Sequence, residues 1–198
     1  ASDVYKRQIY ALAQKKIMRM IAYSGVANSG FIFLAIFTSI DFNFSVAAFY
    51  VITYTITTVS AISIITFISS NKFDLVYIKD FKGLSSKSGL ISILFMITLL
   101  STAGIPLTIG FYAKYLVLDA LVSQNMIIIA VIVVLFTVIG LYYYLRVIWF
   151  MFFETGFNSL IKVNGIYYLA VLSIIPFSII AIFLFPEFAF NYLFSILA

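Results

Sequence analysis

Residues 99–118 read LLSTAGIPLTIGFYAKYLVL. An apolar helical run reaches Leu100, halts at Gly104-Ile105-Pro106 and resumes at Ile109. Proline removes a backbone donor and clashes with the preceding turn, and glycine weakens a helix interior. The run before the interruption and the run to Val122 after it are each about 15 residues, or roughly 22 Å of helix. Neither half alone crosses a hydrocarbon core of ~30 Å. The segment 88–122 is therefore either two short spans or one crossing broken in mid-membrane. Lys114 stands inside its second half, ~12 Å from the end of that half.

On either side of this stretch lie four charge-free runs, 20–38, 44–70, 126–145 and 163–186, the last containing Pro176. Each is long enough to cross a bilayer as a helix. Alternation of polar and apolar residues is absent, which excludes a β-barrel reading. The composition agrees: 64% of the 198 residues are hydrophobic and 10% charged, and the mean hydropathy is +1.16. Soluble domains are about half apolar and about a quarter charged. A soluble enzyme, a nucleic-acid binder and a disordered chain are excluded together. The fold class expected is all-α, a polytopic transmembrane helix bundle.

Basic residues decide how 88–122 is read. Lys15, Lys16 and Arg19 precede the first span; Lys72, Lys79, Lys82 and Lys87 follow the second; Arg146 and Lys162 flank the loop before the last. If 88–122 is one interrupted crossing, all nine fall on one side. If it is two crossings, Arg146 and Lys162 move to the other. The positive-inside rule favours a single broken helix over 88–122 and about five crossings in all. Non-helical backbone at membrane depth is tolerated only where protein or a wet cavity satisfies it, so the break itself points to function.

The chain contains no Cys and no His. Thiolate zinc sites, iron–sulfur ligation and imidazole acid–base chemistry are thereby excluded in this chain. Its glycines form no dinucleotide or Walker loop. Lys114 is the leading candidate for chemistry, because an ionisable residue inside the membrane is by default a functional one; the alternative is a snorkelling or statically paired lysine. Asp119 is five residues on, about 140° around the helix, so the two do not share a face. Any partner for Lys114 must come from another helix or another chain, and Asp119 reads as interfacial.

Tyr50, Tyr54 and Thr58, with Thr53, Thr57 and Ser60, give the second span a hydroxyl-bearing face that either lines a hydrated path or bonds back to its own backbone. Ser24, Asn28 and neighbouring glycines form a small polar face suited to close helix contact. Tyr142-Tyr143-Tyr144 with Arg146 reads as an aromatic belt with a snorkelling arginine.

RMIAYSGVANSGF (19–31), LLSTAGIPLTIGFYAKYLVL and IGLYYYLRVIWFMFF (139–153) resemble the antiporter-like membrane subunits of respiratory NADH:quinone oxidoreductase, complex I. The resemblance covers residues 9–198. Its Gly-Ile-Pro…Gly-Phe…Lys block is shared with multisubunit cation/proton antiporters, while the Tyr-Tyr-Tyr-Leu-Arg block leans toward subunit N, whose mitochondrial counterpart is NADH dehydrogenase subunit 2. The resemblance implies a bundle of about fourteen helices with two broken ones. In it, residues 9–198 form the C-terminal part, 88–122 the second broken helix and Lys114 the proton-translocating lysine. The polar opening 1–8 reads as a non-native scar. The family often has Lys where Met18 stands and His where Asn28 stands.

The implied function is proton translocation coupled to electron transfer in other subunits. This chain would then hold no cofactor, and NADH, flavin, iron–sulfur clusters and quinone would be bound by partners. Those partners would be other complex I membrane subunits and the lipid bilayer, with no nucleic acid, in the bacterial cytoplasmic or mitochondrial inner membrane. A subunit of a standalone cation/proton antiporter and a non-catalytic membrane scaffold are the alternatives.

Overall fold

The computed structural model describes residues 14–38, 44–70, 77–156, 166–187, 190 and 195. The opening 1–8, Lys72 and Lys162 lie outside the described residues. Among the described residues seven helices follow in order: α1 Ile17–Phe37, α2 Ser45–Ser70, the short α3 Leu84–Lys87, α4 Gly89–Ala103, α5 Ile109–Ser123, α6 Ile127–Phe153 and α7 Ile166–Leu184. A 3₁₀ turn, Ile78–Phe81, precedes α3. Among the described residues there is no strand, only an isolated antiparallel bridge between Lys16 and Tyr77. The chain is the expected all-α transmembrane bundle.

Helix is the structure that apolar chain must adopt in lipid, because each backbone group is then satisfied within its own segment. Side-chain hydroxyls follow the same logic. Ser24 donates to Ile21 O, Thr57 to Tyr54 O and Thr98 to Phe95 O, each within its own helix. α1, α2 and α6 are long and apolar enough to cross on their own, and α7 has 19 residues with Pro176 inside. α4 and α5 have 15 residues each and join at the interruption.

Two core clusters show how the halves are stacked. One gathers Ile17 of α1, Ile68 of α2, Ile91 and Phe95 of α4, and Val147 and Met151 of α6. The other gathers Ala35 of α1, Ala47 of α2, Val117 and Leu121 of α5, and Ala130 of α6. These are opposite ends of the same long helices. α4 therefore occupies one end of the bundle and α5 the other, as one interrupted crossing requires.

The end holding α4 is the basic one. Ile78 N donates to Lys15 O at 2.8 Å, and Gly83 N to Phe150 O at 3.0 Å. Lys82 pairs with Glu154 at 2.5 Å. The start of α1, the segment before α4 and the end of α6 are thus tied together. This places the described parts of the two basic loops, 77–87 and 153–156, at one end.

The flanks of the bundle are apolar and open: Phe33, Ile128, Leu135 and Trp149 are all exposed. Lipid is as apolar as these side chains, so helix association rests on packing and interhelical hydrogen bonds. Gly25 illustrates the packing, since a Cβ there would fall 2.8 Å from the Tyr54 hydroxyl.

Candidate functional site

α4 ends in a left-handed turn. Gly104 has φ +82°, a conformation glycine adopts without steric cost. Its N–H donates to Leu100 O and Ser101 O, and Ile105 N donates to Leu100 O, each at 3.0 Å. This is the Schellman pattern. Pro106 follows, and Leu107 is a second residue at positive φ, 79°. Thr108 then precedes α5.

A helix end leaves four carbonyls without intrahelical donors, and in mid-membrane water does not freely supply them. Here all four are accounted for. The turn takes Leu100 O and Ser101 O, and the Lys114 side chain takes the other two. Its Nζ donates to Thr102 O at 3.0 Å and to Ala103 O at 2.8 Å. A cation at the C-terminal end of α4 also faces the favourable end of the helix dipole. The two halves lie close enough that a Cβ on Gly110 would collide with the carbonyl oxygen of Ser101. Gly110 N donates to the Ser101 hydroxyl at 3.3 Å.

Among the described residues, the surroundings of Lys114 are polar but uncharged. Its Nζ lies 5.3 Å from the centroid of the Phe31 ring. Phe31 stacks on Tyr50 at 5.5 Å, and Tyr50 donates to Asn28 Oδ1 at 2.9 Å. Two small cavities flank the lysine. One, of about 10 Å³, is lined by Asn28, Tyr50, Thr53, Tyr54 and Thr57 among others. The second, of about 20 Å³, is bounded by Asn28, Phe31, Thr102, Tyr143 and Tyr144 with Lys114. Those volumes are of the order that one water molecule needs.

The structure brings together most of what the sequence singled out. Asn28 meets the hydroxyl face of α2 beside Lys114, while Thr58 stays outside both cavities. Asp119 is exposed, apart from the lysine. The hydrogen-bond partner of Lys114 is a pair of carbonyls at the end of α4, the other half of the same broken crossing, and not a group on a separate helix or another chain.

The aromatic-belt reading needs correction for two of its three tyrosines. Tyr142 is exposed at 60%, but Tyr143 and Tyr144 are 3% exposed and face the core. Three consecutive helical residues span about 200°, so they cannot share one environment. The signal was in the register: Gly140, Tyr143, Tyr144, Val147 and Met151 form the buried stripe of α6.

A lysine held at the interruption of a mid-membrane helix, inside an all-α bundle, defines an antiporter-like membrane protein. The chain belongs to the NADH:quinone oxidoreductase/Mrp antiporter transmembrane family, whose model matches residues 7–140. Within that family it is similar to the NADH-quinone oxidoreductase subunit N of Alkalilimnicola ehrlichii, 39% identical over 183 residues, 86% of this chain and 37% of that protein. It is also 38% identical over 146 residues to subunit N of Coxiella burnetii, 74% of this chain and 30% of that one. The chain thus spans about a third of the length of the curated relatives it matches.

Among solved structures, respiratory complex I from Thermus thermophilus with bound aureothin superposes with a TM-score of 0.81 and 25% identity over 95% of this chain and 42% of that one. The Mrp complex from Dietzia sp. matches with a TM-score of 0.83 at 16% identity, over 97% of this chain and 44% of that one, a likeness of fold.

Proposed function

We propose that this chain is part of a membrane subunit, of the subunit N type, in a proton-pumping NADH:quinone oxidoreductase, and that Lys114 is its proton carrier. The observation that carries the reading is the seating of Lys114 on the Thr102 and Ala103 carbonyls at a mid-membrane break.

An ammonium has three N–H donors. Two are spent on carbonyls that the break would otherwise leave unsatisfied. A neutral amine still has two, so the lysine can keep both carbonyls satisfied after giving up its third proton. The break thereby supplies a seat that both protonation states can occupy. Moving one charge across the membrane is worth ~2.3 kcal/mol per 100 mV, within what buried charges approaching and receding can supply.

NADH oxidation and quinone reduction fall to partner subunits in this reading, along with the flavin and iron–sulfur clusters that perform them. The lack of Cys and His in this chain supports that division. The similarity to subunits of multisubunit complexes supports other membrane subunits as partners. The location would be an energy-conserving membrane, bacterial cytoplasmic or mitochondrial inner.

The experiment is purification of the full-length subunit from its native membrane, followed by reconstitution. The reading expects co-purifying NADH:quinone reductase activity and proton uptake that starts with NADH. Cation-driven proton exchange without NADH, and without reductase subunits, would establish the antiporter alternative instead.

A further inference from the structure

The hydroxyl of Tyr144 is buried on α6 and closes no hydrogen bond of acceptable geometry among the described residues. The side chains of Ser24, Thr102 and Tyr143 lie close enough to interact with it electrostatically, but none closes a well-directed bond to it. A buried hydroxyl without a partner is costly, so such a group normally meets a protein atom or an ordered water.

Tyr144 also lines the cavity of about 20 Å³ that it shares with Lys114. The bonding around that cavity is unevenly spent. Lys114 uses two of its donors on Thr102 O and Ala103 O. Thr102 directs its hydroxyl proton to Leu99 O and Thr98 O, leaving lone pairs on the hydroxyl oxygen. Asn28 gives one N–H to Ser24 O and receives the Tyr50 proton on Oδ1. One donor on Lys114, the second N–H of Asn28, the lone pairs of the Thr102 hydroxyl and the Tyr144 hydroxyl remain to be satisfied around the cavity. A water needs two to four polar partners and about this much room.

We propose that Tyr144 and Lys114 hold a single water between them in this cavity, and that Tyr144 is a positioning residue for the lysine through it. The water accepts the third N–H of Lys114 and bonds the phenolic hydroxyl. It gives the ammonium a polar neighbour where Phe31 and the helix backbones otherwise close the space. The tyrosine does not itself need to ionise. The consequence for transport rests on the proton-carrier reading of Lys114; the water site does not.

The test uses the assembled complex carrying the full-length subunit, imaged by cryo-electron microscopy at a resolution that reveals ordered waters. Wild type should show density within hydrogen-bonding distance of both Tyr144 Oη and Lys114 Nζ. Tyr144→Phe, which keeps the ring and its packing, should lose that density and lower NADH-driven proton translocation several-fold per assembled complex. Tyr142→Phe, an exposed hydroxyl on the same helix, should change neither. A dry wild-type cavity with Tyr144 bonded directly to Ser24 or Thr102 overturns the proposal. So does water retained in Tyr144→Phe, or wild-type pumping by that variant. Wild-type pumping by Lys114→Ala would instead remove the proton-carrier reading and leave the density result to stand alone.

Discussion

Gly104 and Lys114 are fitted to one another. A Cβ at position 104 would lie 2.7 Å from Cδ of the lysine and 3.3 Å from its Cε. The glycine therefore serves twice: it takes the left-handed turn that ends α4, and it leaves the channel through which the lysine reaches the freed carbonyls.

Gly104→Ala should consequently harm both roles. The left-handed backbone alone costs an L residue about 1–2 kcal/mol, and the methyl group displaces the lysine stem. Thermal unfolding of the purified complex should move down, and proton translocation per assembled complex should fall. Unchanged stability and transport would mean that the turn relaxes freely and the fit is incidental.

Tyr50→Phe should have a smaller, purely local effect. It removes the bond to Asn28 Oδ1 while keeping the ring stacked on Phe31. Interhelical hydrogen bonds in membranes average about 0.6 kcal/mol, so a loss of that order in stability is expected, with assembly intact. Differential scanning of wild type and variant measures it; a loss of several kcal/mol would show that Tyr50 anchors more than Asn28.

The stacking of α4 and α5 as one crossing predicts sidedness. Ser86→Cys and Glu154→Cys, each introduced singly into this Cys-free chain, should react with a membrane-impermeant maleimide from the same side. The Lys82–Glu154 pair is partly exposed, and such pairs contribute about 0–1 kcal/mol, so its loss should not unfold the protein. Labelling from opposite sides would require two complete crossings in 88–122.

Much of this was legible in the sequence. The charge-free runs gave the helices because lipid leaves the backbone few alternatives, and the nine clustered basic residues decided between one crossing and two. Pro106 and Gly104 located the break, and Lys114 drew attention as the ionisable residue within it. What the lysine bonds was not legible. Backbone carbonyls carry no side-chain signature, so nothing in the sequence marks Thr102 and Ala103 as the groups that Lys114 bonds. The inward turn of Tyr143 and Tyr144 was also missed, because a run of tyrosines near a helix end satisfies the belt pattern unless the buried stripe of the whole helix is traced first.

In the proposed function Lys114 exchanges a proton rather than merely capping α4. Lys114→Ala removes the exchanging group, and Lys114→Arg supplies donors for the same carbonyls but retains its proton at any working pH. A structural cap should tolerate arginine, and alanine should then lower assembly. The measurement is NADH-driven proton translocation in membrane vesicles, normalised to assembled complex. If Lys114 is the proton carrier, both variants assemble and both pump poorly, with coupled quinone reduction falling alongside. Wild-type pumping by either assembled variant would contradict it.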